Sequence, residues 1–340
     1  MRTAIFGVGS LGTITGALMS KNGVDVTLID SYKAHVDELN KNGASIVGKM
    51  ELSNVPVHAI LPEEMEGIYD VIFLMTKQTV NDIVLPLIVE HMNENSVLCT
   101  LQNGAPEDFV AKYVGYERTI GGVVGWGAEF IKPGVSSLSS DPYRMVFEIG
   151  ELDGSITPRI QEIAGILGKA CTCNIITNLI GVRWSKLITN STMSGLSAAL
   201  GITYGDIIHN DETVKVAAFQ TNELIRVANA RNIRLETLFE GYDFYDLLFD
   251  DKAGLERAIK WLKEYYEPDA PLIASMLRDM RNGVKCEIEQ ICGLVAMWGD
   301  KLGIDTPLND KCIEIVKEFE AGIRPMPTIE NVSEFVLPCI

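Results

Sequence analysis

An α/β fold in two parts is what this sequence predicts: a parallel-sheet domain over residues 1–177, then an all-α domain over residues 178–340. Three observations carry it. A short apolar strand opens the chain and runs directly into Gly7-Val8-Gly9-Ser10-Leu11-Gly12. Apolar runs of strand length then alternate with helical patterns, which implies parallel strands joined by right-handed crossovers. From about residue 179 onward the pattern is almost wholly helical, with period 3.6 rather than 2.

Taken in order, residues 3–7 (TAIFG) read as a buried strand, followed by the glycine turn and a helix ending at Asn22-Gly23. Residues 24–29 (VDVTLI) form a second strand closed by Asp30, and residues 32–42 a helix stopped by Gly43. Residues 45–60 alternate and contain Pro56, which suggests a short strand or a hairpin insertion. Residues 70–75 (DVIFLM) and 96–101 (SVLCTL) are further buried strands, with a helix over 80–92 between them. The texture over 119–150 turns Gly-rich and β-like; a helix over 158–167 and a strand over 173–176 complete the first domain.

Composition excludes several classes of function. Asp and Glu outnumber Lys and Arg 46 to 29, a net charge of −17, which argues against nucleic acid or anionic membrane surfaces as partners. No run of about 20 apolar residues is present to span a membrane. The first strand begins at residue 2 or 3, which leaves no room for a signal peptide, so a cytoplasmic protein is expected. The seven cysteines fit no zinc spacing and read as reduced structural thiols; the four histidines show no helical pairing, so no metal site is expected.

The pattern G-x-G-x-x-G is weak alone, but a preceding strand and a following helix make it the phosphate loop of a Rossmann-type domain. Gly7 permits the turn, Gly9 lets the backbone approach a pyrophosphate, and Gly12 allows close packing of helix on strand, with Val8, Ser10 and Leu11 completing the loop. The helix N-terminus offers N–H groups and partial positive charge to the phosphates. Asp30 can accept both ribose hydroxyls and repels a 2′-phosphate, which favours NAD with NADP as the alternative. Asp30 also suits a helix cap, and Lys33 nearby softens the discrimination.

Beyond the loop, MTKQ stands at 75–78, LQNGAPE at 101–107, WSKLITN at 184–190 and SMLRDMRNGVKCEIEQICG at 275–293. Together, and in this order, these segments resemble the ketopantoate reductase (2-dehydropantoate 2-reductase) family. The resemblance implies reduction of a small 2-oxo acid, 2-dehydropantoate to pantoate in pantothenate biosynthesis, by a homodimer. It implies that Lys77 and Asn103 lie near cofactor and substrate, and that Lys186 is the general acid with Glu287 as its partner. It further implies that Ser275 and Asn190 meet the substrate. Hydride transfer to a ketone builds negative charge on oxygen, which a lysine can protonate. Lys186, Asn190 and Ser194 fall at i, i+4 and i+8, one face of an ideal helix. Ser275 and Glu287 are read on one long helix, about 120° apart in ideal geometry, with Gly283 allowing a bend and Glu289 as a rival carboxylate.

Three departures from the family pattern open an alternative. Ser194 stands where a second Asn is expected, which puts the pantoate hydroxyl contact in doubt. Ser31 stands where a basic residue is usual, which puts NADPH in doubt. Residues 234–268 form a longer stretch carrying Phe239, Tyr242, Phe244, Tyr245, Trp261, Tyr265 and Tyr266, read as a cleft cover, a dimer contact or core packing. The alternative function is therefore a related oxidoreductase acting on another 2-oxo or 2-hydroxy acid. A nucleotide sensor without turnover is the reading from a different class, and the Lys186–Glu287 pair argues against it.

Overall fold

The computed structural model describes residues 1–237 and 241–340. They form two compact units, Met1–Leu179 and Ile180–Ile340.

The first unit is built on β1 (Thr3–Phe6), α1 (Ser10–Lys21), β2 (Val26–Ile29), α2 (Lys33–Asn42), β3 (Ala44–Gly48), β4 (Leu52–Val55), β5 (His58–Ile60) and β6 (Val71–Leu74). It continues through α3 (Asn81–Glu90), β7 (Val97–Thr100), α4 (Glu107–Val114), β8 (Thr119–Val124), β9 (Ala128–Lys132), β10 (Val135–Leu138), β11 (Val146–Glu151), α5 (Pro158–Leu167) and β12 (Thr172–Ile175). Eight strands pair in the order β12-β11-β8-β7-β6-β1-β2-β5. All neighbours are parallel except β11 and β8. β1, β6, β7 and β8 are buried along their whole length, as parallel strands covered on both faces must be.

A second sheet was not legible in the sequence. β4, β3, β10 and β9 form four strands in that order, with β3 and β10 parallel although ninety residues separate them. The alternating stretch at 45–60 therefore divides: β3 and β4 join the small sheet, while β5 closes the edge of the large one beside β2. Alternation reveals a half-buried strand but not its partner. The small sheet packs on α1.

The second unit is helical. It contains most of α6 (Leu179–Ile188), a π-helical turn at Thr189–Ser194, α7 (Gly195–Leu200), α8 (Tyr204–His209), α9 (Asp211–Ala230), α10 (Lys252–Tyr266), α11 (Ser275–Arg281), α12 (Ile288–Leu302) and α13 (Pro307–Glu320). Local chemistry sets several starts. Asn210 accepts from the N–H groups of Glu212 and Thr213, Asp251 accepts from Gly254, and Thr203 with Asp206 forms a capping box. Trp184, Leu187, Ile188, Met193 and Leu196 are buried in one apolar core with the inner faces of α9, α12 and α13.

The described aromatics of 242–266 pack into that core. Trp261 stacks on Tyr265 with centroids 4.5 Å apart, and Tyr242 and Phe244 meet Trp261 edge-on or tilted. Phe239 lies outside the described residues. Of the three readings of this stretch, the described aromatics fit core packing. Among the described residues no helix is long and apolar enough to cross a membrane. Among the described residues no disulfide is formed.

Candidate active site

In the first unit the candidate residues gather where β1, β2, β6 and β7 end. The chain leaves β1 toward β2 on one side, and β6 lies on the other, so a crevice opens between the β1 and β6 loops at a topological switch point. Gly7 shows why that crevice needs glycine. Its φ is +100°, and a Cβ there would lie 2.5 Å from the Thr76 nitrogen on the neighbouring loop. A Cβ on Gly12 would drive into the carbonyl oxygen of Gly7. The fold itself demands both.

Gly9 differs. Its φ is −67°, and a Cβ would meet nothing within 4 Å. The fold tolerates a side chain here, so the space beside Gly9 is available to a ligand rather than filled by protein. Gly9 precedes Ser10 and Leu11 in the first turn of α1, whose N–H groups lack intrahelical acceptors by geometry. An exposed backbone cradle at a helix N-terminus fits a pyrophosphate.

Asp30 is already engaged with the backbone. Its Oδ2 accepts from the Val8 N–H at 2.7 Å and its Oδ1 from the Tyr32 N–H at 2.8 Å. It thus holds the phosphate loop and turns the chain into α2 at once. Each carboxylate oxygen keeps a further lone pair for a ribose hydroxyl. Lys33 pairs with Asp37 at 2.7 Å, an exposed i, i+4 pair.

Lys77 and Asn103 sit on the loops after β6 and β7, both half-buried. A buried amide clasp joins those loops. Gln102 donates from Nε2 to Asn81 Oδ1 at 2.7 Å and to the Thr76 carbonyl at 3.0 Å, and Gln78 donates to the Asn103 carbonyl at 2.5 Å. The clasp brings the Lys77 and Asn103 backbones into one constellation. No periodicity in the sequence indicates it.

In the second unit Lys186 and Asn190 are half-buried, on α6 and in the π turn. Here the helical reading needs correction. A π turn bonds i→i+5 and so holds more residues per turn than an α-helix, and residues 186, 190 and 194 do not hold one α-helical face. Ser194 is 5% exposed, and its hydroxyl lies 2.8 Å from that of Tyr204 in the core. Thr189, by contrast, meets the Tyr266 hydroxyl at 2.8 Å.

Ser275 and Glu287 do not share a helix, a second correction. α11 ends at Arg281, Gly283 takes φ +68°, and α12 begins at Ile288 with Glu287 as its N-cap residue. Gly283 therefore breaks the helix rather than bending it. Ser275 is exposed at the first position of α11, and Glu287 is nearly buried. Both α11 and α12 pack against the π turn, which draws Ser275, Glu287, Lys186 and Asn190 onto adjoining elements. Glu289 pairs with Lys317 at 2.8 Å, and that ammonium holds its carboxyl below the usual range, so it reads as a surface ion pair.

A buried polar network backs the π turn. Gln220 of α9 donates to the Ser191 carbonyl at 3.0 Å, and the Ser191 hydroxyl donates to Asn309 Oδ1 at 2.6 Å. Glu223 accepts from the Leu308 and Asn309 N–H groups at the start of α13. Burial pushes its carboxyl up to about 7 against these donors. The network joins three separate stretches of chain, so no local motif announces it. A surface cavity of about 410 Å³ lined by Arg226, Asn229, Leu248, Phe249, Asp250 and Ile304 contains none of the candidate residues. Among the described residues no cluster of three or more His, Cys, Asp or Glu could hold a metal ion.

Comparison with known proteins adds the following. A family model described as "Ketopantoate reductase PanE/ApbA" matches residues 3–153, and one described as its C-terminal part matches residues 178–320. The 2-dehydropantoate 2-reductase of Archaeoglobus fulgidus is 27% identical over 95% of this chain and 99% of that relative. The solved 2-dehydropantoate 2-reductase of Geobacter metallireducens is 26% identical, with a TM-score of 0.76 over 94% of this chain and 99% of its own. D-mandelate dehydrogenase, solved with NADH and anilino(oxo)acetate, shares the fold at a TM-score of 0.81 and 24% identity, over 95% of this chain and 99% of its own.

Proposed function

Because this chain belongs to the ketopantoate reductase family of nicotinamide-dependent oxidoreductases, we propose that it reduces 2-dehydropantoate to pantoate, a step of pantothenate biosynthesis. The observation that carries this reading is Gly9, a glycine whose missing side chain leaves room for a ligand and not for the protein. When bound, the reduced nicotinamide supplies hydride to the keto carbon. Gly9, Ser10 and Leu11 receive the pyrophosphate on backbone N–H groups, with Gly7 and Gly12 keeping the turn closed. Asp30 accepts the ribose hydroxyls and disfavours a 2′-phosphate, so NAD is the preferred cofactor.

Lys186 protonates the oxygen as negative charge builds on it, and Glu287 orients the lysine and the forming hydroxyl. Lys77 faces the substrate carboxylate as a cation, with Asn103 beside it. Asn190 and Ser275 contribute hydrogen bonds to the rest of the substrate.

A second reading, a different 2-oxo acid, is favoured by Ser194. The family resemblance assigns that position to an Asn contacting the pantoate hydroxyl, whereas here the Ser194 hydroxyl faces Tyr204. The two readings separate in one assay. Oxidation of NADH and of NADPH is followed by absorbance with 2-dehydropantoate and a panel of other 2-oxo acids. Efficient turnover of 2-dehydropantoate with NADH is the expected result. Turnover of another acid alone reassigns the substrate, and a strong NADPH preference overturns the role of Asp30.

A further inference from the structure

Four hydrogen bonds that the proposed chemistry leaves unused converge behind the phosphate loop. His35 of α2 is 1% exposed. The Gly134 N–H, in the turn between β9 and β10, donates to His35 Nδ1 at 2.9 Å. A neutral ring that accepts at Nδ1 carries its hydrogen on Nε2, a tautomer assigned here from the partners. Nε2 lies 3.1 Å from the Thr13 hydroxyl and so donates to it. Thr13 in turn donates toward the carbonyls of Gly9 at 2.7 Å and Val8 at 3.0 Å. The chain runs in one direction, from the hairpin turn to the loop.

That direction matters because a trans peptide points its C=O and its N–H to opposite sides. With the Val8 and Gly9 carbonyls turned inward to Thr13, the N–H groups of Gly9 and Ser10 point outward, where an anion at the start of α1 would sit. Asp30 fixes the preceding peptide through the Val8 N–H. Three successive peptides are thus fixed, the first by Asp30 and the next two with their N–H groups turned toward a phosphate.

We propose that His35 is a positioning residue for the cofactor's pyrophosphate: through Thr13 it fixes the phosphate-loop carbonyls and braces them on the β9–β10 turn. The inference rests on the reading of this loop as the pyrophosphate site. It gives the small sheet a part in cofactor binding, since Gly134 is anchored there by its carbonyl, which accepts from Ser45 N–H at 2.8 Å. Phe130 of β9 meets the imidazole edge-on at 5.1 Å and shields it.

The test measures the NADH dissociation constant of the full chain by calorimetry, alongside thermal unfolding, for wild type and five variants. His35→Asn keeps an acceptor near Nδ1 but removes the donor to Thr13, whereas His35→Gln keeps a donor near Nε2. The expected result is a dissociation constant raised about tenfold in His35→Asn, most of which His35→Gln restores. Thr13→Val should match His35→Asn, and the double variant should be no worse than the weaker single one, because both cut one chain. The cofactor KM rises while kcat at saturating cofactor stays unchanged. Gly9→Ala, which fills the ligand space directly, serves as control. Weak binding by Gly9→Ala with wild-type binding by His35→Asn and Thr13→Val overturns the inference alone. Unchanged binding by Gly9→Ala overturns the loop reading and the inference with it.

Discussion

The two units build their candidate functional groups from different materials. In the first, the proposed working atoms are backbone N–H groups of one contiguous hexapeptide, aimed by strand ends and by Asp30. In the second they are side-chain heads on separate elements: Lys186 and Asn190 about the π turn, and Glu287 at the cap of α12. A backbone cradle tolerates almost any neighbour that keeps its dihedrals. A side-chain site depends on every contact that sets the helix phase. The first unit should therefore answer to one or two substitutions with a binding defect. The second should answer with a defect in turnover, including from residues that touch no ligand.

The largest expected effect is at Lys186. Lys186→Ala removes the proposed proton donor and should lower kcat by roughly 10²–10⁴, with the NADH dissociation constant unchanged. An equal loss of NADH binding would break the division of labour between the units. Next is Gly9→Ala. The methyl enters open space in the protein, so the melting temperature should hold, while NADH binding weakens by about tenfold or more. A drop in melting temperature without a binding change would show that the fold, not a ligand, requires this glycine.

The contrast between the units also explains what was legible. The strand–glycine turn–helix geometry and the place of Asp30 after β2 could be read because they are fixed by neighbours in sequence. The small sheet could not, since β3 finds β10 only through tertiary packing. The same holds for the placement of Ser194 and Ser275. The sequence predicts a period of 3.6 across 186–194, but the turn there widens, with Gln220 occupying its Ser191 carbonyl from α9. The pattern over 275–293 reads as one helix, but Gly283 adopts a left-handed φ and ends it. Glycine in a helical pattern signals either a tolerated residue or a stop, and only the packing around it decides.

The network behind the π turn gives a smaller effect that sharpens the comparison. Gln220→Leu conserves volume but deprives the Ser191 carbonyl and Asn309 of a donor, at a cost of about 1–3 kcal/mol in stability. Measured by denaturant melts and steady-state kinetics, kcat should fall while NADH affinity does not. Wild-type kcat at reduced stability would make the network a stabilising element only.

The smallest effect separates the units by pH. Burial lowers the His35 imidazole from its ordinary value of 6.5, while Asp30 at the end of β2 pulls it upward. The other elements around it present uncharged Thr13, Phe130 and Gly134. On α2 itself Lys33 is paired with Asp37, and Glu38 would meet a Cβ on Gly134. The fold favours the neutral ring, so its contribution is present above about 6.5 and is lost as pH falls, when the unfolded chain takes the proton first. Glu223 has the opposite sign. Its carboxyl rises from 4.5 to about 7, so the fold favours the protonated form, and that contribution is present below 4.5 and lost as pH rises through about 7. Hydrogen exchange resolved by segment, corrected for the intrinsic pH dependence, should show α1 and β1 gaining protection as pH is raised from 5 toward 7. Over the same interval α9 and α13 should lose it, each by at most about 1.4 kcal/mol per pH unit. Glu223→Gln should flatten the second trend and leave the first intact. Parallel trends in both units would show that the buried groups do not act independently, and the proposed separation of cofactor cradle from proton-donor site would lose its thermodynamic support.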